Sequence, residues 1–478
     1  MSKLVNIKPE RVFKYFEDIS QIPRGSGNME RIAEFCVEFA KSKNLKVVCD
    51  KANNVIIYKN ATIGYENSDT VILQGHLDMV CQKNEDVKID FEEQGIDVYV
   101  DGDYLKARGT TLGGDNGIAV AMILAILEDK NIEHPAIEAV FTTDEEIGMI
   151  GAMQLDFSLL KGTKMINIDS EEQDVLTVSC AGGSDFEMVL PVVREKSCGT
   201  EMELTVKGLR GGHSGVEINS GRVNSNMLMA RILNKADVSY GIISLSGGDK
   251  ANAIPVFTKA NIVTGNPERL TETLKLYVQE IKKEIQFREE SFEFEIVEKA
   301  SGEFDVINKK CAQKLIFSLL CAPNGVVEMS KEIENLVETS LNLGILRTDE
   351  DSVTEHFALR SNKTSALYFL EDRLKAFAEF SGFDVKTFGH YPPWEFKSDS
   401  RLQKIYREIY KDTFGREISV EAIHAGLECG VFASAINDID CISVGPQMYD
   451  IHTPNERLSI SSTEAVFAMI LKVLKECK

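Results

Sequence analysis

Apolar positions recur at helical spacing over residues 9–19, where Val12, Phe13, Phe16 and Ile19 fall on one face. The same happens after Asn28, with Ile32, Phe35, Cys36 and Phe39. Residues 45–49 and 55–58 flank Asn53–Asn54 and predict a hairpin. Short apolar runs of the kind buried strands make then follow: 70–74, closed by Gly75; 136–142, running into Asp144, Glu145 and Glu146; and 165–168, ending at Asp169. Between the first two runs, Gly113–Gly114 opens a strongly apolar helix over 116–128. Strands alternating with helices predict an α/β domain, a mixed sheet flanked by helices.

The pattern changes near Gly183. Long alternating segments (201–207, 292–297) interleave with helices at 224–234 and 268–287. A similar order then returns: a helix at 310–320, strands at 341–347 and 352–359, and a helix at 365–379. This predicts two α+β units in tandem. Past Trp394 the first character resumes, with a helix at 402–413, a strand at 441–444 and a closing helix at 462–475. The expected organisation is an α/β domain in two parts, 1–183 and 394–478, with an α+β domain, 184–393, inserted between them.

The 478 residues exceed what one core organises, and 43% hydrophobic with 27% charged residues is ordinary for a globular chain. A net charge of −22 argues against nucleic acid or an anionic membrane as partner, because phosphate recognition needs a basic face. The ten cysteines are scattered without a C-x-x-C pair, as expected of small buried side chains in a reducing compartment. The N-terminal stretch shows no apolar run leading to a small-residue cleavage site, and the apolar helical stretch 118–127 is too short to span a bilayer. A cytoplasmic location is expected.

Chemistry concentrates where polar residues end the apolar strands. His76 and Asp78 follow V-I-L-Q-G two residues apart, so in extended chain they face one spot, a ligand beside a carboxylate that can orient it. The alternative is a chance H-x-D in a surface loop. Asp115 lies behind a glycine pair at a helix start, where it is either an N-cap or, with Asn116 capping instead, a carboxylate free to bridge two cations. Glu145 and Glu146 extend an acidic run that is costly unless solvated or neutralised. Asp169 repeats the strand-then-acid pattern, and His452 sits in a loop bounded by Pro446 and Pro454. Two imidazoles and three carboxylates at the ends of four or five strands of one sheet would suit a pair of zinc-like ions.

In order along the chain, G-H-L-D-M-V, T-T-L-G-G-D-N-G-I-A-V-A-M, T-T-D-E-E-I-G-M-I-G-A, N-I-D-S-E-E, G-G-H-S-G-V-E-I, H-A-G-L-E-C-G and S-V-G-P-Q-M-Y-D-I-H-T-P-N-E resemble the aminoacyl-histidine dipeptidases. These form the Xaa-His, carnosinase-like branch of the dinuclear-zinc aminoacylase and carboxypeptidase family. The resemblance implies a zinc-peptidase-like α/β catalytic domain with an inserted lid. It implies that His76 and Asp169 hold one zinc, that His452 and Glu146 hold the other, and that Asp115 bridges them. Glu145 would be the general base and Asp78 the carboxylate behind His76. From the lid of the same chain, His213 would stabilise the tetrahedral intermediate, while Arg360 and Gly426 would hold the substrate carboxylate and that intermediate.

The expected activity is hydrolysis of dipeptides, Xaa-His and β-alanyl-histidine included, with two zinc ions for which cobalt or manganese can substitute. A tripeptidase or an N-acyl amino acid amidohydrolase would use the same ligands. A non-catalytic metal-binding scaffold is disfavoured by the intact Glu145. The expected partner is a small peptide, and a homodimer is left open.

Overall fold

A computed structural model of the chain describes Leu4 and residues 6–478. The first two amphipathic patterns form the helices Glu10–Ser20 and Glu30–Ser42, burying Val12, Phe13, Phe16 and Ile19 from one and Ile32, Cys36 and Phe39 from the other. The hairpin pairs Lys46–Cys49 with Val55–Lys59, and Asn53 takes a positive φ in its turn, as asparagine readily does.

The chain divides into two units. The first comprises residues up to Cys180, Phe396–Ala422 and Leu427–Lys478; the second comprises Ala181–Glu395 with Ile423–Gly426.

An eight-stranded mixed sheet carries the first unit. At its centre Val71–His76 runs parallel to Ile137–Thr142 on one side and Lys164–Asn167 on the other, and Asp440–Ser443 continues the parallel set. The three central strands are buried along their whole length, which is why apolar residues fall on both of their faces and do not simply alternate with polar ones. The helix Gly114–Glu128 is buried nearly all round for the same reason. Parallel strands deliver their C-terminal ends to one edge, so His76 and the segments after Thr142 and Asn167 open together.

Two details depart from the expectation. Gly75 does not close its strand, which continues to His76. A Cβ there would lie 2.4 Å from Asn116 Oδ1 and 2.7 Å from Ala119 Cβ, so glycine allows the strand and the apolar helix to approach. A separate four-stranded sheet, Val98–Asp101, Tyr104–Ala107, Met448–Tyr449 and Arg457–Ser459, was not anticipated, because strands of two to four residues carry no readable period.

The second unit is one nine-stranded antiparallel sheet with the helices Ser225–Leu233, Pro267–Ile285, Lys309–Cys321 and Thr364–Ser381. The tandem units expected from the sequence are not separate. Tyr240–Gly247 meets Val337–Thr348 at Gly247 and Leu346, so both halves share a sheet, and their apolar residues form one core. Along Ser352–Ser361, Phe357 and Leu359 enter that core, while His356, Ala358 and Arg360 alternate onto the opposite face. Ile423–Gly426, expected with 394–478, belongs to this unit. The Ala181 amide donates to the carbonyls of Ile423 and Ala425, and the His424 ring is held by Ser340 and Asn362.

Candidate active site

His76 ends its strand fully buried. Its Nε2 lies 3.1 Å from Asp115 Oδ1 and 3.4 Å from Asp169 Oδ1, and its Nδ1 lies 3.3 Å from Asp78 Oδ1. His452 Nε2 lies 3.1 Å from Asp115 Oδ2 and 3.0 Å from Glu146 Oε1. Asp115 thus offers one oxygen to each imidazole. Donors each 2.0–2.1 Å from a common tetrahedral zinc stand about 3.3 Å apart, which is the spacing seen in both sets. Donor atoms of His76, Asp115 and Glu146 also fall within 4.8 Å of one another. The residues present therefore fit a pair of cations sharing Asp115.

The supports are more varied than the ends of one sheet. His76, Glu145, Glu146 and Asp169 do follow main-sheet strands. Asp115 lies instead at the irregular first turn of Gly114–Glu128, and His452 lies in the loop between Met448–Tyr449 and Arg457–Ser459 with φ of 59°.

The electrostatics of this group are set by its excess of carboxylates. Burial alone would lower His76, yet Asp169, Asp115 and Asp78 carry it well above its ordinary value. Hydrogen bonds to Asp115 and Glu146 lift His452 to about 10. Burial and the neighbouring Asp115 and Glu146 raise Asp169 to about 6 despite His76. Burial would raise Asp78, but His76 and the Glu145 amide hold it down near 2. Carboxylates that drive imidazoles toward protonation form a site that would favour added positive charge, such as a divalent cation.

Glu145 makes no ion pair with either imidazole. Burial raises it well above the usual carboxylate range; the nearby His76 opposes the rise through space, and Asp169, Glu428 and Glu146 add to it. Asp78 fixes the backbone here, accepting the amides of Glu145 (3.0 Å) and Glu146 (3.2 Å).

Several supporting residues escaped the sequence reading. Asn116, taken as an alternative cap, instead joins two strand ends: its Oδ1 accepts the His76 amide and its Nδ2 donates to the Ile168 carbonyl. Beneath the site, buried Gln74 donates to Thr142 and Glu428 and accepts from Asn167, and Thr142 also donates to Glu428. The polar Gln74 inside an apolar strand was the available signal.

In the second unit, Gly212–His213 pairs with Ala253–Ile254. His213 Nδ1 accepts the amides of Gly215 and Val216, so the neutral ring carries its proton on Nε2 and can donate from there. Burial, then Arg360, lowers its pKa. Arg360 is itself buried, donates to the Tyr391 hydroxyl (2.9 Å), and leaves Nε without a partner. It lines a cavity of about 300 Å³ with Asp185, Asn252 and Tyr391. Gly426 ends the segment that carries His424, whose pKa burial, then Arg360 and His213, presses down to about 3.

Residues 72–476 match Peptidase family M20/M25/M40. The chain is 36% identical to the cytosol non-specific dipeptidase of Escherichia coli strain K12, an alignment covering 100% of this chain and 99% of that one. It is 36% identical to the aminoacylhistidine dipeptidase of Vibrio alginolyticus, whose crystal structure superposes with a TM-score of 0.91 over 99% of this chain and 98% of that one. Aminopeptidase PepT from Bacillus cereus shares the fold alone, with a TM-score of 0.58 at 16% identity over 98% and 99% of the two chains. With full-length identity, a shared fold and a family match spanning both units, the chain belongs to Peptidase family M20/M25/M40.

Proposed function

We propose that this hydrolase of peptide bonds is a dipeptidase using two divalent cations, zinc by preference, with Xaa-His dipeptides among its substrates. One observation carries the reading: Asp115 directs one carboxylate oxygen to His76 and the other to His452, each at 3.1 Å. In this reading His76 and Asp169 hold one cation, His452 and Glu146 hold the other, and Asp115 bridges. When bound, such a pair lowers the pKa of a water and polarises the scissile carbonyl.

The protein's own groups do the rest. Glu145 takes a proton from the attacking water and passes it to the leaving amine. Asp78 holds the His76 ring through Nδ1, leaving Nε2 for the cation. His213 donates from Nε2 to the oxyanion, Arg360 pairs with the substrate's C-terminal carboxylate, and Gly426 lines the place of the intermediate. No helix among the described residues is long and apolar enough to cross a membrane. The cytosolic assignment of the Escherichia coli relative supports a cytoplasmic place for this chain too.

The test is a panel of dipeptides, tripeptides and N-acetyl amino acids assayed on protein of measured metal content. Dipeptides should dominate, activity should vanish on exhaustive chelation, and zinc, cobalt or manganese should restore it. Activity that persists with elemental analysis showing no metal would end the reading. Preferred turnover of tripeptides or N-acetyl amino acids would transfer it to those substrates.

A further inference from the structure

The loop that carries Asp115 is gripped from two sides. Glu456 is 3% exposed, and its carboxylate accepts four consecutive backbone amides: Leu112 (2.7 Å) and Gly113 (3.1 Å) on Oε2, Gly114 (2.8 Å) and Asp115 (3.4 Å) on Oε1. Arg24, 2% exposed, donates to the Gly113 carbonyl and, through its other terminal nitrogen, to the carbonyls of Leu77 and Asp78. The glycine pair makes this grip possible. A Cβ on Gly113 would lie 2.5 Å from Arg24 Nη2, and one on Gly114 would lie 3.2 Å from Glu456 Oε1.

The two clamps join three segments. Arg24 ties 112–115 to the residues just past His76. Glu456 ties it to the loop of His452, four residues back along its own chain, where the Glu456 amide donates to the Thr453 carbonyl.

We propose that Glu456, braced by Arg24, is a positioning residue that fixes the backbone of Asp115 so that its two oxygens reach both imidazoles. This inference rests on the paired-cation reading above. A carboxylate is the group the position demands: with four amides converging, every lone pair finds a donor, whereas an amide nitrogen there would face N–H groups. A merely structural alternative exists, since an acid at the start of Gly114–Glu128 also favours the helix dipole. The two roles differ in what they do to cation affinity.

The experiment compares wild type, Glu456→Gln and Glu456→Asp, stripped of metal and titrated with Co²⁺ against a competing chelator. The visible absorption of cobalt reports the geometry of the site, and circular dichroism reports folding. Loss of an outer support weakens cation affinity by roughly 10–100-fold. Glu456→Gln should show that loss with an altered cobalt spectrum, Glu456→Asp should recover part of it, and excess Co²⁺ should restore turnover. A folded Glu456→Gln with affinity within twofold of wild type and an unchanged spectrum overturns the proposal.

Should the glutamine variant fail to fold, amide hydrogen exchange in metal-free wild type decides. Protection at residues 112–115 supports the clamp, and exchange at open-loop rates refutes it. Wild type that binds one cation per chain sinks the paired reading alone, since the clamp is judged by the ratio of variant to wild-type affinity.

Discussion

In the first unit, four carboxylates (Asp78, Asp115, Glu146 and Asp169) stand within 3.4 Å of two imidazoles, and the imbalance drives both rings toward the protonated state. The second unit is biased the other way. His213, Arg360 and His424 act on one another through space, and both histidines are pressed toward the neutral state by burial and by the guanidinium. One cluster is short of positive charge and the other is short of negative charge. In the proposed reading, that contrast matches the two needs of peptide hydrolysis. On that proposal the first unit would serve cations and the proton traffic of a water, and the second a carboxylate and a developing oxyanion.

If the first cluster is where the chemistry lies, its cation-free acid should matter most. Glu145→Gln should keep its metal content and lose activity by ~10²–10⁴-fold or more, since one group serves as base and then as acid. A near-normal rate, with metal verified by elemental analysis, would remove Glu145 from the mechanism. The second cluster should show a smaller effect that falls on kcat. If His213 donates to the oxyanion as proposed, His213→Ala should lower kcat ~10²–10³-fold with little change in KM. An effect confined to KM would make His213 a binding group instead.

Arg360 sharpens the contrast further, because the part proposed for it is binding. A charge-assisted hydrogen bond contributes about 1.5–3 kcal/mol, so a dipeptide amide should lose roughly 10–150-fold in kcat/KM against the free dipeptide. The same substitution tested on Arg360→Met should then make little further difference. Equal cleavage of acid and amide by wild type would exclude the carboxylate clamp.

The two regions were also unequally legible. His76, Glu146 and Asp169 stood out because an acid or imidazole directly after an apolar run is conspicuous, and fully buried parallel strands produce such runs. Asp115 was marked by its glycine pair, although the sequence could not tell a bridging carboxylate from a cap. The clamps were invisible: Arg24 and Glu456 act on backbone atoms of segments distant in sequence, and backbone partners leave no side-chain pattern. His213 and Arg360 came only from the resemblance. Arg360 is one polar position on an alternating strand, indistinguishable by period from His356 beside it. The inserted domain's order of elements was readable, but the joining of its halves was not, because a single Gly247–Leu346 bridge has no sequence signature.

The second unit also holds a fully buried acid. Glu355 lies in the strand Ser352–Ser361, completely buried, with Ser318 of the helix Lys309–Cys321 donating to Oε2 and no partner at Oε1. Burial pushes its pKa to about 8, from an ordinary 4.5, with the serine offsetting only part of the rise. The sign follows from proton uptake. Below pH 4.5 folded and unfolded chains both hold the proton, and the fold has its full stability. Between 4.5 and about 8 the unfolded chain releases the proton while the folded one keeps it, so stability falls as pH rises. Above that range both are ionised and the loss is constant, on the order of 5 kcal/mol at ~1.4 kcal/mol per pH unit. Glu355→Gln removes the titration and keeps an acceptor for Ser318. Denaturant midpoints at pH 5 and pH 8 should therefore show the variant gaining on wild type as pH rises, with turnover of dipeptides unaffected at either pH. A wild-type-to-variant difference that is the same at both pH values would mean that Glu355 is not the proton-holding group of this core.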